Sequence, residues 1–221
     1  MKYIYHHLGL GDHIICNGLV RKLIKQNENF SLFVKPHNRI SVEFMFRDLK
    51  NLTLINGDDD FVKNYLNINK ITNDDLLICG FGVIPECSWD QVFYAQHNIN
   101  FKERWDSFKI ERDINREQSL YDFLNPNDEE YVLIHNVGSD GVDRINNNII
   151  NPNLKKIYVE KHTENIFDYL MLLEKSKEVH CVESSFHVLV DSLDLNTSLF
   201  FHTLTNGRGF EHKIKDKWNI V

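Results

Sequence analysis

Apolar residues along the chain fall into two kinds of run, short β-prone stretches and longer segments whose apolar positions recur every three or four residues. The first stretch, Tyr3, Ile4 and Tyr5, reads as a strand ending at His6 and His7. Gly9 and Gly11 bracket Leu10 and supply the freedom of a tight strand-to-helix turn. Ile14, Ile15, Gly18, Leu19, Leu23 and Ile24 then mark one face of a helix. Strands are expected at 30–34, 52–55 and 76–81, with helices at 37–49 and 61–66 between them. The run 76–81 is apolar throughout, as in a parallel strand buried on both faces.

The pattern changes and then restarts. Residues 89–108 crowd in Trp89, Phe93, Tyr94, Phe101, Trp105 and Phe108, expected to pack between lobes or to form an aromatic wall for a sugar or base. A helix at 116–124 leads into the polar stretch 125–130, read as a boundary between domains 1–124 and 125–221. Beyond it, strands are expected at 131–135, 156–159, 178–182 and 198–202, with helices at 166–173 and 186–193 and a basic, helical tail carrying Trp218. Strands alternating with helices in both halves predict an α/β protein with parallel sheets.

Composition narrows the classes without naming a function. The 221 residues suffice for one substantial domain or two small ones, and the 42% hydrophobic and 26% charged content is that of a globular chain. A net charge of −7 argues against nonspecific binding to nucleic acid or to anionic membranes. Cys16, Cys79, Cys87 and Cys181 lie far apart, with no zinc-like spacing, which suits buried thiols in a reducing compartment. With no signal-like or membrane-length stretch, a cytoplasmic location is expected.

Two turns carry the candidate chemistry. Asp12 stands where a carboxylate caps a helix, and equally where an α/β sheet presents groups to a ligand. The acids Asp58, Asp59 and Asp60 read as the start of the next helix. In the second half Glu183, Ser184 and Ser185 end a buried strand and enter a helix, with His187 in its first turn. Hydroxyls and free N–H groups at such a place suit a phosphate, although a plain serine cap has the same appearance.

The stretches LGLGDHIICNGLVRKL and VHCVESSFHVLVDSL resemble the opening turn and a late element of family 9 glycosyltransferases, the bacterial heptosyltransferase type. Glu183 stands where that family has Asp, and the segment before His187 is one residue shorter. The resemblance implies a minimal GT-B-like fold, with two Rossmann-like parallel-sheet lobes facing a central cleft. It implies inverting, metal-independent transfer from a nucleotide sugar to a glycan or lipid-linked acceptor, with Asp12 as general base. Ser184, Ser185 and His187 would meet the donor, with Arg144 and Arg208 offering charge and His135 contacting the nucleotide. Gly9, Gly11, His6 and His7 would line the acceptor side.

Three other readings stay open at this level. A dinucleotide-dependent oxidoreductase would want a third glycine where Ile14 stands. A nucleotide-sugar epimerase shares the two-lobe plan, and a non-catalytic sugar- or nucleotide-binding module would tolerate loss of the Asp12 carboxylate.

Overall fold

The computed structural model describes residues 1–138, 141–203 and 213–221. They divide into two compact α/β units, the first comprising Met1–Glu111 with Lys213 and the second running from Arg112 and including Ile214–Val221. Arg208, expected at the donor, lies outside the described residues. Among the described residues no helix is long and apolar enough to cross a membrane.

The first unit is built on strands β1 (Lys2–Tyr5), β2 (Phe30–Val34), β3 (Leu52–Asn56) and β4 (Leu76–Ile78), paired in the order β3-β2-β1-β4. Every pair is parallel, and Ile4 on β1 lies between Leu32 and Leu77. All five residues of β2 are buried, which explains its uninterrupted apolar reading apart from Ser31. The strand expected over 76–81 stops at Ile78. Gly80 and Gly82 take positive φ of 85° and 103°, turning the chain out of the sheet. A β-carbon on Gly80 would stand 2.2 Å from Phe93.

Helices α1 (Leu10–Ile15), α2 (Asn17–Leu23), α3 (Arg39–Met45), α4 (Asp59–Ile68), α5 (Trp89–Ala95) and α6 (Glu103–Asp106) complete this unit. The segment expected as one helix over 37–49 is a 3-10 turn, Pro36–Asn38, followed by α3. Asp58 caps α4 by accepting the Phe61 N–H at 2.8 Å.

The break between α1 and α2 has an identifiable cause. In a continuous helix the Leu19 N–H would bond the Ile15 carbonyl. Here the Tyr94 hydroxyl stands between them, accepting from Leu19 N at 3.2 Å and donating to Ile15 O at 2.7 Å. Such an insertion bends a helix without leaving either group unpaired. Gly18 then lets α2 approach α6, since a β-carbon there would meet the Glu103 carbonyl at 1.9 Å.

The aromatic segment packs within the first unit. Phe93 and Tyr94 are fully buried, Tyr94 lies edge-on to Phe101, and Phe101 lies edge-on to Trp105. Beside them Arg104 and Asp90 form an ion pair at 2.8 Å with both side chains out of solvent.

The second unit starts earlier than the polar stretch suggested. Helix α7 (Ile114–Leu124) belongs to it, tied by Arg116 to both carboxylate oxygens of Asp168 at 2.9 and 2.8 Å and followed by Asn125, which caps the turn 125–129. The division therefore falls between Glu111 and Arg112 and not at 124/125. Strands β5 (Tyr131–His135), β6 (Lys155–Tyr158), β7 (Glu178–Cys181), β8 (Ser198–Phe201) and β9 (Trp218–Ile220) pair in the order β6-β5-β7-β8-β9, all parallel. Helices α8 (Leu170–Lys175) and α9 (Ser185–Ser192) lie between them in sequence. The tail expected to be helical is the edge strand β9, held by Asp191, which accepts from Lys215 N at 2.9 Å and from the Trp218 indole at 3.0 Å.

Tyr94→Phe removes the inserted hydroxyl and leaves Ile15 O and Leu19 N without their shared partner. Chemical denaturation is expected to show a loss of about 1–3 kcal/mol.

Candidate active site

In both sheets the chain runs outward on one side of its first strand and then jumps to the other side. The reversal falls between β1 and β4 in the first unit, and between β5 and β7 in the second. Ligands of open α/β sheets bind at such reversals, outside the carboxyl ends of the strands. Asp12 and His7 lie at the first of these places, and His135, Ser184 and Ser185 at the second.

At the first reversal, the loop after β1 meets the loop after β4. The His7 Nε2–H donates to the Gly80 carbonyl at 3.1 Å, and its ring stacks on Phe81 with centroids 4.5 Å apart. Gln96, which follows α5, fixes the partner loop, accepting from Gly80 N at 2.6 Å and donating to Phe81 O. Asn38 holds the β1 loop through the Leu8 carbonyl at 2.9 Å.

Asp12 lies in the first turn of α1, whose N-cap is Gly9 with no capping side chain. Its carboxylate folds back over Gly9, so closely that a β-carbon on Gly9 would stand 2.5 Å from Oδ2. Glycine at position 9 is thus a condition of the carboxylate's position. Burial pushes the Asp12 carboxyl up to about 6, against the opposing pull of His7, the Gly9 and Asp12 N–H groups, and Lys35. An acid held near neutrality at a strand-end turn is a group able to exchange protons under working conditions.

Sequence reading missed the residues that complete this place. Lys35 follows β2 and lies 3.9 Å from Asp59, which in turn accepts the Tyr5 hydroxyl at 2.8 Å. Both Lys35 and Asp59 sit just past the ends of neighbouring strands, a signal that was available once those strands were placed side by side.

His6 goes elsewhere. It is fully buried with its ring edge-on to His13 at 4.4 Å, inside the unit and out of reach of a sugar acceptor. Burial lowers His6 to about 4 and holds His13 well below its ordinary value, so both rings are neutral near pH 7. Gly11 lies within α1.

At the second reversal, His135 ends β5 and Ser184 follows β7, with His135 Nδ1 and Ser184 Oγ 3.2 Å apart. His135 stacks flat on Phe186 at 5.2 Å, and burial takes it down to about 4. Ser184 is the N-cap of α9: its hydroxyl accepts from His187 N at 3.2 Å and donates to Val182 O at 3.1 Å. Ser185 opens the helix, half-exposed beside it. Arg144 lies in the segment after β5, its backbone N–H donating to Asn136 O at 3.1 Å.

His187 departs from its expected place at the donor. It is fully buried, packed on Phe201 at 4.2 Å and Trp218 at 4.7 Å. Its position on α9 turns it toward β8 and β9, which carry Phe201 and Trp218. Among the described residues no group of three or more His, Cys, Asp or Glu side chains is arranged to hold a metal ion.

Asp12→Asn tests the strained acid. A carboxyl whose folded value exceeds its ordinary 3.8 stabilises the fold only while protonated, and that contribution is lost as pH rises through about 6. Denaturation at pH 8 is expected to find the Asn variant more stable by about 2–3 kcal/mol, and at pH 4 nearly equal to wild type.

Comparison with known proteins addresses the fold. No protein-family model and no curated protein sequence matches the chain. Among solved structures, the glycosyl transferase family 9 protein from Veillonella parvula DSM 2008 superposes with a TM-score of 0.57 at 9% identity, covering 100% of this chain and 86% of the other. The E. coli ADP-heptose LPS heptosyltransferase II superposes with a TM-score of 0.53 at 7% identity, covering 100% and 90%. The chain therefore has the fold of GT-B glycosyltransferases, with two parallel-sheet α/β units.

Proposed function

We propose that the protein is an inverting glycosyltransferase that moves a sugar from a nucleotide-sugar donor to an acceptor hydroxyl, with Asp12 as general base. The observation that carries this reading is the place of Asp12, a half-buried carboxyl folded over Gly9 in the first turn of α1, at the topological reversal of the first sheet, where burial pushes it up to about 6. Likeness of fold to two glycosyltransferases supports it by analogy.

In this mechanism Asp12 takes the acceptor's hydroxyl proton while the oxygen attacks the anomeric carbon from the face opposite the leaving group. The new glycosidic bond forms as the bond to the diphosphate breaks, and the nucleoside diphosphate leaves with the electron pair. Charge growing on that leaving group needs neutralising. The N-terminus of α9 at Ser184 and Ser185 suits an anion, and Arg144 adds a cation, so transfer proceeds without a bound metal. Lys35 and His7 beside Asp12 favour its ionised form and place it ready for an acceptor. A cytoplasmic site of action, on a glycan or lipid-linked acceptor, goes with this reading.

One observation favours a second reading. Ser184 spends its hydroxyl on capping and His187 lies in the core, so a nucleotide-binding module without turnover would use the same scaffold.

The test is a thermal-shift screen of wild type and Asp12→Asn against UDP, GDP, ADP, CMP and their sugar conjugates, in Mg²⁺ and in EDTA. One nucleoside diphosphate is expected to stabilise both proteins without metal, by about 2.7 kcal/mol at a hundredfold excess over Kd. Turnover is expected in wild type alone, with kcat/KM rising as pH passes about 6, where Asp12 loses its proton. Binding without turnover selects the module, and no stabilisation by any nucleotide sinks both readings.

A further inference from the structure

The face of the second sheet that carries Val132 and Ile134 on β5 continues through Glu178 and His180 on β7, since these residues lie opposite one another in the parallel register. The crossover from β5 to β6 covers that face, with Ile145, Ile150 and Leu154 packed on Val132 and Ile134. Among its described residues the crossover holds a single helical turn, the 3-10 segment Asn147–Ile149. A segment so irregular bonds some backbone donors within itself, as Ile149 N does to Asn146 O and Leu154 N to Asn151 O, and sends others to the sheet it covers.

Two of those donors are met by one continuous chain of side chains. Asn146 N–H donates to His202 Nδ1 at 3.1 Å, so that nitrogen carries a lone pair. The proton of a neutral His202 is then on Nε2, which lies 2.9 Å from His180 Nδ1. His180 in turn carries its proton on Nε2, 3.3 Å from Glu178 Oε2. That same oxygen accepts from Asn151 N at 3.4 Å. From Asn146 to Glu178 every bond points one way, its direction set by a backbone N–H that cannot reverse and by a carboxylate that only accepts, and Asn151 N–H donates into the same carboxylate from the other end.

We propose that Glu178, His180 and His202 form a tautomer-locked clamp on the β5–β6 crossover, which protonation of the histidine pair opens, at Asn146 when the proton is on His202. An added proton on His202 Nδ1 would face the Asn146 N–H, donor against donor. An added proton on His180 Nδ1 would face the His202 Nε2–H. The rings must then separate, or His202 must shift its own proton to Nδ1 and lose Asn146.

Both rings are buried, and His180 also stacks flat on Phe200 at 4.4 Å. Among the described residues, the charged groups facing the pair are Glu178 on β7 and Asp143 on the crossover. Burial lowers His180, and burial together with His180 takes His202 down to about 4. A base whose folded value lies below its ordinary 6.5 stabilises the fold fully above that value, and the contribution is lost as pH falls toward 4. The clamp is therefore closed at pH 7 and opens in acid.

Arg144 lies two residues before Asn146, so the clamp makes His202 a positioning residue for that guanidinium. This consequence rests on the function proposed above, in which Arg144 meets the donor diphosphate. The decisive measurements use no ligand and so stand apart from it.

Nitrogen-15 NMR of the full chain is expected to show both rings as Nε2–H tautomers at about pH 7.5. Amide exchange is expected to show protection at Asn146 falling about tenfold or more between roughly pH 7.5 and pH 5, with Asn151 much less affected. In His202→Asn the amide oxygen takes over the Asn146 N–H and does not titrate, so protection at Asn146 should stay flat over that range. His202→Phe should lose it at every pH, and if that variant does not fold, wild type and His202→Asn decide. An Nδ1–H tautomer at either ring near neutral pH, or wild-type protection at Asn146 unchanged in acid, overturns the clamp.

Discussion

Every strand pair in both sheets is parallel, and parallel neighbours cannot be joined by a hairpin. Each strand must leave its carboxyl end into a crossover, so the loops that follow the strands collect along one edge of each sheet. Where the order of strands reverses, two of these loops leave neighbouring strands toward opposite sides, the place where open α/β sheets bind their ligands. Asp12, His7 and Phe81 owe their proximity to the reversal between β1 and β4, and His135 and Ser184 owe theirs to the reversal between β5 and β7. Residues far apart in sequence meet at these places because of pairing order, without any direct attraction strong enough to bring them together.

Burial then sets the chemistry of each ionisable group. The same loss of water that raises Asp12 lowers His6, His135 and His202, because it penalises whichever form is charged. For the histidines this yields neutral rings that serve as packing or directional hydrogen-bond partners. For Asp12 it yields an acid poised to exchange a proton, at a cost to stability that rises with pH. Elsewhere in the first unit two buried polar groups have specific partners. Tyr94 bridges the broken helix, and Asp90 answers Arg104. Those pairings hold the elements that carry the Asp12 turn, and breaking one partner of the ion pair would leave a charge alone in the core.

Much of the fold was legible along the chain. The runs at 30–34, 52–55, 131–135 and 178–182 are strands within a residue of their expected ends, because an apolar, β-branched or aromatic run between turn residues is a local signal. The caps Asp58 and Ser184 were legible for the same reason, each bonding an N–H three residues on. The tail was not. Lys215, Lys217 and Trp218 suggest a helix, but Trp218 finds Asp191 and the edge of β8, partners that no local pattern announces. Nor was the end of the first unit, because α7 is placed by Arg116 and Asp168, 52 residues apart in sequence.

What the sequence by itself determined was the alternation of strand and helix, the Gly9–Asp12 turn and the serine turn after β7, since each depends on residues within a few positions of one another. Strand order, the raised acidity of Asp12, the withdrawal of His6 and His187 into the core and the linked pair His180 and His202 were decided only by the tertiary structure. Each depends on which distant segment packs alongside and how much water it excludes. Hydrophobic periodicity states that a face is to be buried, and only the assembled sheet states against what.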